Sequence, residues 1–303
     1  MANSGLPPSD GGILLLDKPT GLSSNAALQR VRRAFGRMRA GHTGTLDPLA
    51  SGMLPVCLGE ATKVAGEILA GRKCYRFSLQ LGEQRSTGDA EGEVIATAPV
   101  PALHDAPLQA ALAAFRGPQR QVPPMHSALK RDGRPLYELA RAGITVEREA
   151  RDIVIERLEL LGLEAGRLDC RLLCSKGTYV RVLGEDLARA LGTVGYLAAL
   201  RREYVEPFAS LPMVSLDAVL AGPLPALLPA DRALPHLAQV HLSIRDSIAI
   251  TRGQRVAAGP TAPGAFPAAA GLVRLYDSAG RFFGLGLLEE DGGLRAKRLY
   301  ATD

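Results

Sequence analysis

The sequence predicts an α+β fold, in which a large mixed, mostly antiparallel sheet precedes a small all-β domain. Strand-like and helix-like segments are mixed here without a regular βαβ repeat. The composition shifts to proline, leucine and alanine between residues 221 and 238, and short strand-like segments follow that shift. We therefore expect a first domain at 10–232 and a second domain at 239–303.

The first domain begins with a short apolar strand, GILLLDKP (12–19), which a proline ends. Ser23 or Ser24 can then cap a helix that runs to about Phe35. Further elements are predicted in chain order: a strand at 74–82, helices at 108–117 and 135–143, a strand-like run at 167–183, and a helix at 184–192. Alternation within the strand-like run predicts that Cys170 and Cys174 face the core.

The second domain is predicted from four short strand-like runs, which cover 240–253, 271–280, 281–292 and 294–302. Two of the junctions carry the hairpin-type turn sequences DSAG and EDGG. About sixty-five residues of this kind can fold as a small β domain.

Composition excludes several classes of protein. The four cysteines form no CxxC pair, which disfavours a zinc site. The N-terminus MANSGLPPSDGG has neither the basic start nor the apolar core of a signal peptide, and the chain has no apolar run long enough for a membrane span. These features predict a cytoplasmic protein. The excess of 36 basic over 31 acidic residues suggests a polyanionic partner.

The loop GHTGTLDPLASG (41–52) presents one carboxylate, Asp47, among glycines and directly before a proline. Asp47 could be a rigidly held catalytic group or the centre of an Asx-type turn. Because nearby arginines lower the pKa of a carboxyl, we expect Asp47 to be ionised and to act as a nucleophile or base.

Five arginines and no acid lie between residues 25 and 39, just before that loop. Arg30, Arg33 and Arg37 lie mostly off the apolar face of the predicted helix. They could form an ordinary solvated face or an RNA-binding face, and the absence of acids favours the second interpretation.

The segment GHTGTLDPLASGMLPVCLGEATK resembles the signature of tRNA pseudouridine synthases of the TruB type. The resemblance continues in LLLDKPTGLSSN (14–25), KCYRFSLQLG (73–82), STGDAEG (86–92), PPMHSALKRDGRPLYELAR (123–141), SKGTYVRVLGEDL (175–187) and LRREYVEPF (200–208). The C-terminal segment resembles the PUA-like RNA-binding domain of bacterial members. The resemblance implies isomerisation of the T-loop uridine at tRNA position 55 to pseudouridine, with base flipping and without cofactor or metal.

The resemblance also assigns roles to single residues. Asp47 matches the family's nucleophile, Arg181 matches the arginine that pairs with it, and Tyr75 matches the tyrosine that stacks on the target base. Without the resemblance, Tyr75 would be interpreted as a core aromatic residue on a strand. Tyr179 lies two residues from Arg181 at an expected strand end, so both side chains should share one face. Leu200 matches an apolar contact to the base.

Three further features belong to RNA binding. His42 matches a histidine that helps to displace the target nucleotide, although a lone loop histidine is more commonly exposed or locally bonded. Lys130 and Arg131 lie in an expected RNA-gripping insertion at about 120–152, where they would neutralise phosphates. Arg85 and Ser86 replace the usual threonine and acid, which should change only a surface turn.

The sequence thus predicts a monomeric enzyme that acts on the T-stem-loop of tRNA, with no obligate protein partner. The main alternative is an RNA-binding or tRNA-folding protein whose catalysis is secondary or lost. A glycosidase is a weaker alternative because no second carboxylate accompanies Asp47 at close spacing.

Overall fold

The computed structural model describes residues 11–131, 133–257 and 270–300. The N-terminal segment that argued against a signal peptide falls almost wholly outside the described residues, as do both outer ends of the predicted domains, residues 10 and 303. None of the helices in the described ranges is long and apolar enough to cross a membrane.

Within these ranges the α-helices are α1 Ser24–Ala34, α2 Ala65–Ala70, α3 Asp105–Ala114, α4 Leu136–Arg141, α5 Val180–Ala190, α6 Leu216–Ala221 and α7 Ile244–Thr251. Short 3-10 helices cover Glu60–Val64 and Ala230–Ala233. The strands of the first part of the chain are β1 Gly11–Lys18, β2 Ala40–His42, β3 Ser51–Gly59, β4 Lys73–Leu81, β5 Glu83–Arg85, β6 Val94–Thr97, β7 Gly117–Gln121, β8 Lys130–Arg131, β9 Arg134–Pro135, β10 Arg151–Glu164, β11 Arg167–Cys174, β12 Gly195–Val205 and β13 Val214–Ser215. The remaining strands are β14 Ala238–His241, β15 Val256–Ala257, β16 Gly271–Tyr276, β17 Phe282–Leu288 and β18 Gly293–Leu299.

The large sheet has the order β13-β1-β3-β12-β4-β11-β10-β7, and β2 pairs with β3 outside this path. Neighbouring strands are antiparallel except for β1 with β13 and β3 with β12. The predicted α+β class with a large, mostly antiparallel sheet is confirmed. Cys170 and Cys174 are fully buried, as the alternation of β11 predicted, and their thiols are free.

Strands β3 and β12 pair over only a few residues, and this limited pairing leaves an opening in the sheet near which the loops of the site lie. These two strands are in register only at Ser51–Arg201 and Gly52–Arg202. The edge of β12 beyond this contact is taken up by another segment, because Leu197 exchanges backbone hydrogen bonds with Gly88 and Ala90 at 3.1 and 3.0 Å. The loops on either side of this opening therefore meet at the centre of the sheet.

Helix α1 follows its sequence pattern closely. The Ser23 side chain caps it by accepting a hydrogen bond from the backbone N–H of Ala26 at 3.1 Å. Leu28, Val31 and Phe35 pack into the main core on one face of the sheet. The arginines of this helix are left on its exposed side.

The prediction of a strand-like run through residue 183 was wrong, because β11 ends at Cys174 and α5 begins at Val180. Gly177 has a φ of 84°, which turns the chain out of the strand. The Gln121 side chain then accepts from the backbone N–H of Tyr179 at 2.8 Å and donates to its carbonyl at 3.1 Å. These two bonds hold the residue that precedes the helix.

Two smaller predictions also need correction. Helix α3 ends at Ala114, and Gly117 begins β7 instead of terminating the helix. In the second domain, residues 244–251 of the predicted strand-like run 240–253 form α7, whose N-cap Ser243 accepts from the backbone N–H of Asp246 at 3.1 Å. The Ser243 hydroxyl stabilises the first turn of a helix here, whereas the spacing of the isoleucines in this segment had suggested a strand.

The other expectations for the second domain hold. Its five strands form one sheet in the order β14-β16-β17-β18-β15, with hairpins at the two predicted turns. The sheet packs against the first domain through apolar residues that include Leu285 and Phe282. The Tyr276 hydroxyl also donates to the Asp231 carboxylate at 2.8 Å.

Gly52 should be among the least replaceable residues of the fold. Its φ is 103°, and a Cβ at this position would lie 2.1 Å from the carbonyl oxygen of Arg202. We expect Gly52→Ala to lower the free energy of unfolding by about 3 kcal/mol or more, measured by urea denaturation.

Gly36→Ala is the matched control, since Gly36 also has a positive φ, of 70°, but an added Cβ would meet open space. Its cost should be about 1 to 2 kcal/mol, which is the conformational penalty alone. Equal losses for the two variants would contradict the steric argument for Gly52.

Candidate active site

The loop between β2 and β3 is held by backbone contacts, which leave its carboxylate free for another use. The Ser24 hydroxyl donates to the Leu46 carbonyl at 2.9 Å and accepts from the Leu46 N–H at 2.8 Å, which fastens the loop to the start of α1. The N–H of Gly21 donates to the Pro48 carbonyl at 2.8 Å. Asp47 is thereby presented by a rigid support.

The Asp47 carboxylate faces the buried side chain of Arg181, with 3.0 Å between Oδ2 and Nε. Among the described residues no backbone N–H donates to this carboxylate, so the Asx-turn alternative is not supported. Arg181 also donates from Nη1 to the Thr87 carbonyl at 2.7 Å and from Nη2 to the His126 carbonyl at 2.5 Å. One guanidinium therefore ties together the loop that carries Asp47 (residues 43–50, the candidate catalytic loop), the 86–92 loop and the insertion.

A second carboxylate, Asp89, also lies near Arg181, with 3.7 Å between its Oδ2 and the same Nε atom. Asp89 is buried and accepts from the Thr87 hydroxyl at 2.6 Å and from the Glu91 N–H at 3.1 Å. Asp89 lies in the motif STGDAEG, for which no site role was predicted. The signal in the sequence that could have identified it is an acidic residue placed among glycines and hydroxyl residues.

Arg181 lowers the pKa of Asp47 as expected, but the net shift is upward, so the predicted direction of the whole shift was wrong. Loss of hydration raises the pKa of Asp47, Arg181 opposes that effect, and the charge of Asp89 raises the pKa further. Partial burial of the carboxyl, whose side chain is still 36% exposed, outweighs the ion pair in setting the direction of this shift. Ionisation of Asp47 therefore depends on the cations that surround it.

Lys18 is one of those cations. Its side chain is buried, and Nζ donates to the carbonyls of Pro19 at 2.9 Å and Leu22 at 2.6 Å. Burial lowers the pKa of Lys18 to about 8, while the charges of Asp47 and Glu91 oppose this shift. Lys18 is therefore still mainly protonated at pH 7 and adds positive charge beneath the carboxylate.

Tyr75 lies on β4 with its ring in the main core, near enough to Asp47 for the two groups to interact electrostatically. Leu200 on β12 belongs to the same core, and its strand neighbour is Phe77. A cavity of about 490 Å³ is lined in part by Leu49, Leu200 and Glu91. Asp47, Tyr75 and Arg181 do not line this cavity, but Leu49 lies two residues from Asp47, so the cavity is next to the segment that carries the carboxylate.

Tyr179 is also close to this site, but for a different reason from the one predicted. It is the N-cap residue of α5, and Arg181 lies in the first turn of that helix, so the two do not share a strand face. Its ring still interacts electrostatically with Arg181 and Asp47, and burial raises the pKa of its hydroxyl.

His42 ends β2, just before the catalytic loop. Burial and the charge of Arg202 lower the pKa of its imidazole, so the ring is neutral at pH 7. Its Nδ1 is buried and has no hydrogen-bond partner within the described residues. A neutral imidazole ring is better suited to stacking against a nucleobase than to forming an ion pair.

The predicted RNA-backbone residues do not enter the cavity. Arg30, Arg33 and Arg37 are exposed on and after α1, and Lys130 and Arg131 are exposed in the insertion. Within the described residues none of these five side chains forms an ion pair with a carboxylate. They are therefore available to an anionic partner.

Arg85 does more than alter a surface turn, which corrects the sequence expectation. Its guanidinium lies over the Tyr196 ring, 4.4 Å from the centroid, and donates to the carbonyls of Ala90 and Gly92 at 3.3 and 3.2 Å. Arg85 thereby closes the loop that carries Asp89.

Comparison with known proteins places this geometry in a family. Residues 32–180 match the N-terminal domain of the TruB family of pseudouridylate synthases, and residues 238–300 match the C-terminal domain of pseudouridine synthase II TruB. The tRNA pseudouridine synthase B of Aromatoleum aromaticum is 50% identical, over 96% of this chain and 93% of that protein. The protein of the same name from Pseudomonas putida strain GB-1 is 47% identical, over 96% of each chain.

Solved structures show the same fold at low sequence identity. The chain resembles a protein in a Cbf5-Nop10-Gar1 complex with a TM-score of 0.71 and 22% identity, over 96% of this chain and 85% of that one. It also resembles a chain from an H/ACA ribonucleoprotein bound to a substrate RNA that contains 2′-deoxyuridine, with a TM-score of 0.72 and 21% identity, over 97% and 86%. Together, the family matches and the close relatives establish that this chain belongs to the TruB family of pseudouridylate synthases.

Proposed function

We propose that this protein is a tRNA pseudouridine synthase that isomerises the T-loop uridine at position 55, with Asp47 as its nucleophile. The observation that carries the proposal is the Asp47–Arg181 pair, joined at 3.0 Å, with Tyr75 near enough to interact electrostatically with Asp47. Full-length relatives named tRNA pseudouridine synthase B support the reaction and the substrate.

The reaction breaks the bond between N1 of uracil and C1′ of the ribose and forms a bond between C5 and C1′. A proton leaves C5 and one is gained at N1, so atoms balance and no electron is transferred. No redox cofactor is therefore required. Asp47 attacks C1′ or acts by another covalent route, and both routes need its ionised form.

Each neighbouring residue has a part in this scheme. Arg181 keeps Asp47 ionised and oriented, and Tyr75 and Leu200 bound the space for the base. Tyr179 adds a second aromatic wall next to Arg181. His42 occupies the gap in the T-loop stack from which the target base has been flipped, which lowers the cost of extrusion.

The proposed division of labour follows the predicted domain boundaries. Residues 10–232 form the catalytic domain, with an RNA-gripping insertion at about 120–152, and residues 239–303 form a PUA-like RNA-binding domain. Arg30, Arg33, Arg37, Lys130 and Arg131 bind the phosphates of the T-stem-loop. The protein acts as a cytoplasmic monomer without an obligate protein partner.

The alternative of an RNA-binding or tRNA-folding protein with lost catalysis is disfavoured by the intact site. A buried arginine shared by two carboxylates, one of them beside a cavity, is costly to retain without a chemical use. A glycosidase is also disfavoured, because Asp89 is buried and shares the guanidinium of Arg181 instead of standing across an open cleft.

Replacement of the nucleophile should separate chemistry from binding. We expect Asp47→Asn to lower pseudouridine formation in a tRNA transcript at least ~1,000-fold, while the Kd for tRNA stays within about threefold of the wild-type value. Asp186→Asn, on the exposed side of α5, is the control and should leave both quantities unchanged. Normal turnover by Asp47→Asn would refute the assignment.

The pH dependence of the chemical step should report the Asp47–Arg181 pair. Because burial raises the pKa of Asp47, the single-turnover rate should fall with decreasing pH from a point above the ordinary aspartate range. Arg181 lowers that pKa, so Arg181→Met should move the acid limb to higher pH as well as reduce the maximal rate. An acid limb that stays in place in Arg181→Met would contradict the electrostatic role of Arg181.

Phosphate binding by α1 should appear in the salt dependence of tRNA affinity. Replacing Arg30, Arg33 and Arg37 by glutamine should reduce the slope of log K against log salt concentration by ~0.7 to ~0.9 for each lost contact. The control replaces three exposed arginines elsewhere, Arg157, Arg167 and Arg189, by glutamine. Equal slopes in the two triple variants would remove α1 from the RNA interface.

A further inference from the structure

Arg202 is a buried cation in the middle of the site that the scheme above leaves unused. Its side chain is 1% exposed, and within the described part of the chain it forms no ion pair with a carboxylate. It lies on β12 in register with Tyr75 on β4 and with Gly52 on β3. Arg202 therefore stands directly between the tyrosine and the end of the catalytic loop.

The guanidinium of Arg202 joins the two ends of the segment that carries Asp47. Nε donates to the Met53 carbonyl at 2.7 Å, and Nη2 donates to the Gly44 carbonyl at 2.8 Å. These carbonyls precede and follow Asp47 along the chain. One rigid planar group thus sets the separation of both ends of the loop, which a flexible ammonium group would do less well.

Gly44 is shaped for this contact. It has a φ of 75°, and a Cβ there would approach Nη1 of Arg202 to 3.2 Å. The glycine lets the loop backbone come close to the guanidinium. The guanidinium of Arg202 therefore occupies space that a side chain at residue 44 would otherwise take.

Tyr75 is the third neighbour of this cation. Burial raises the pKa of the Tyr75 hydroxyl, and the charge of Arg202, with a hydrogen bond from it, opposes that shift. The same charge lowers the pKa of His42. Arg202 thus acts on the loop, the tyrosine and the histidine, whereas the main shifts of the pKa of Asp47 come from burial, Arg181 and Asp89.

If Arg202 only stabilised the fold, a charged side chain would not be needed at this position. A buried guanidinium without a carboxylate partner costs more than an apolar side chain of the same volume, even when carbonyls satisfy its donors. Lys73 provides a comparison within the same chain. It is also buried, and among the described residues its ammonium group donates to two backbone carbonyls, those of Leu69 at 2.6 Å and Gly71 at 2.5 Å. Those carbonyls lie outside the catalytic loop.

We propose that Arg202 is a positioning residue, which fixes the catalytic loop against β12 so that Asp47 and Tyr75 face the same nucleotide. The inference rests on the proposed function of Asp47. Arg202 contacts neither the base nor the sugar in this scheme. It acts by holding the groups that do, and a displacement of about 1 Å at such groups can cost ~100-fold in rate.

The test compares Arg202→Met, Arg202→Lys and the control Lys73→Met in thermal unfolding, tRNA affinity and single-turnover rate at saturating tRNA. For Arg202→Met we expect a rate about 100-fold below wild type, with a Kd within about threefold. Arg202→Lys retains the charge but not the planar fork, and should recover part of the rate. Lys73→Met should lose stability but keep the wild-type rate.

The pH profile supplies a readout that general destabilisation would not give. The rate of Arg202→Met should be scaled down at every pH, with the acid limb moved less than in Arg181→Met, because Arg181 is the charged group with the largest effect on the pKa of Asp47. A folded Arg202→Met protein with a rate within about threefold of wild type would overturn the proposal. So would a rate loss in Lys73→Met equal to that in Arg202→Met.

If Arg202→Met does not fold, Arg202→Lys and Gly44→Ala decide the question. Gly44→Ala displaces the loop from the guanidinium and should lower the rate at least ~10-fold with little change in Kd. Wild-type rates in both would refute the positioning role. Failure of the proposed function is distinguishable, because it would appear as normal turnover in Asp47→Asn whatever the result at Arg202.

Discussion

The hydrogen bonds of the Arg181 guanidinium are the constraint on which the site depends. One buried side chain binds the carboxylate of Asp47, the carbonyl of Thr87 and the carbonyl of His126. These groups belong to three loops that are far apart in sequence. Because every donor of a buried arginine must find an acceptor, the three loops can take few other arrangements.

The sheet creates the place where that arginine acts. Strands β3 and β12 touch over two residue pairs, and the segment around Asp89 takes over the edge of β12 that β3 leaves. The catalytic loop and the 86–92 loop consequently meet from opposite sides. Burial at this junction raises the pKa of Asp47, so the cations around it are needed to supply an ionised carboxylate.

Much of this architecture could be predicted from the sequence. Local signals were sufficient for α1, where Ser23 and the apolar spacing agree, and for the hairpins of the second domain. They failed at Val180, where β-branched residues suggested a strand but Gln121, 58 residues away from Tyr179, fixes the start of a helix. Long-range contacts of this kind cannot be inferred from local periodicity.

The same limit applied to the electrostatics of the site. Asp47, Tyr75 and Arg181 were identified through the family resemblance, and the structure brings them together. The direction of the pKa shift of Asp47 was predicted wrongly, because sequence reveals nearby charges but not the loss of hydration. Asp89 and Arg202 were missed as functional residues for a related reason, since their importance lies in the contacts of buried side chains.

The central proposal is that Arg181 keeps the half-buried carboxylate of Asp47 ionised. Carbon-13 NMR titration of labelled aspartate carboxyls, with Asp47 assigned by its absence in Asp47→Asn, measures this directly. The account predicts that the Asp47 resonance titrates above the ordinary aspartate range in the wild-type protein, and at still higher pH in Arg181→Met. Titration of Asp47 at or below the ordinary value in both proteins would contradict it.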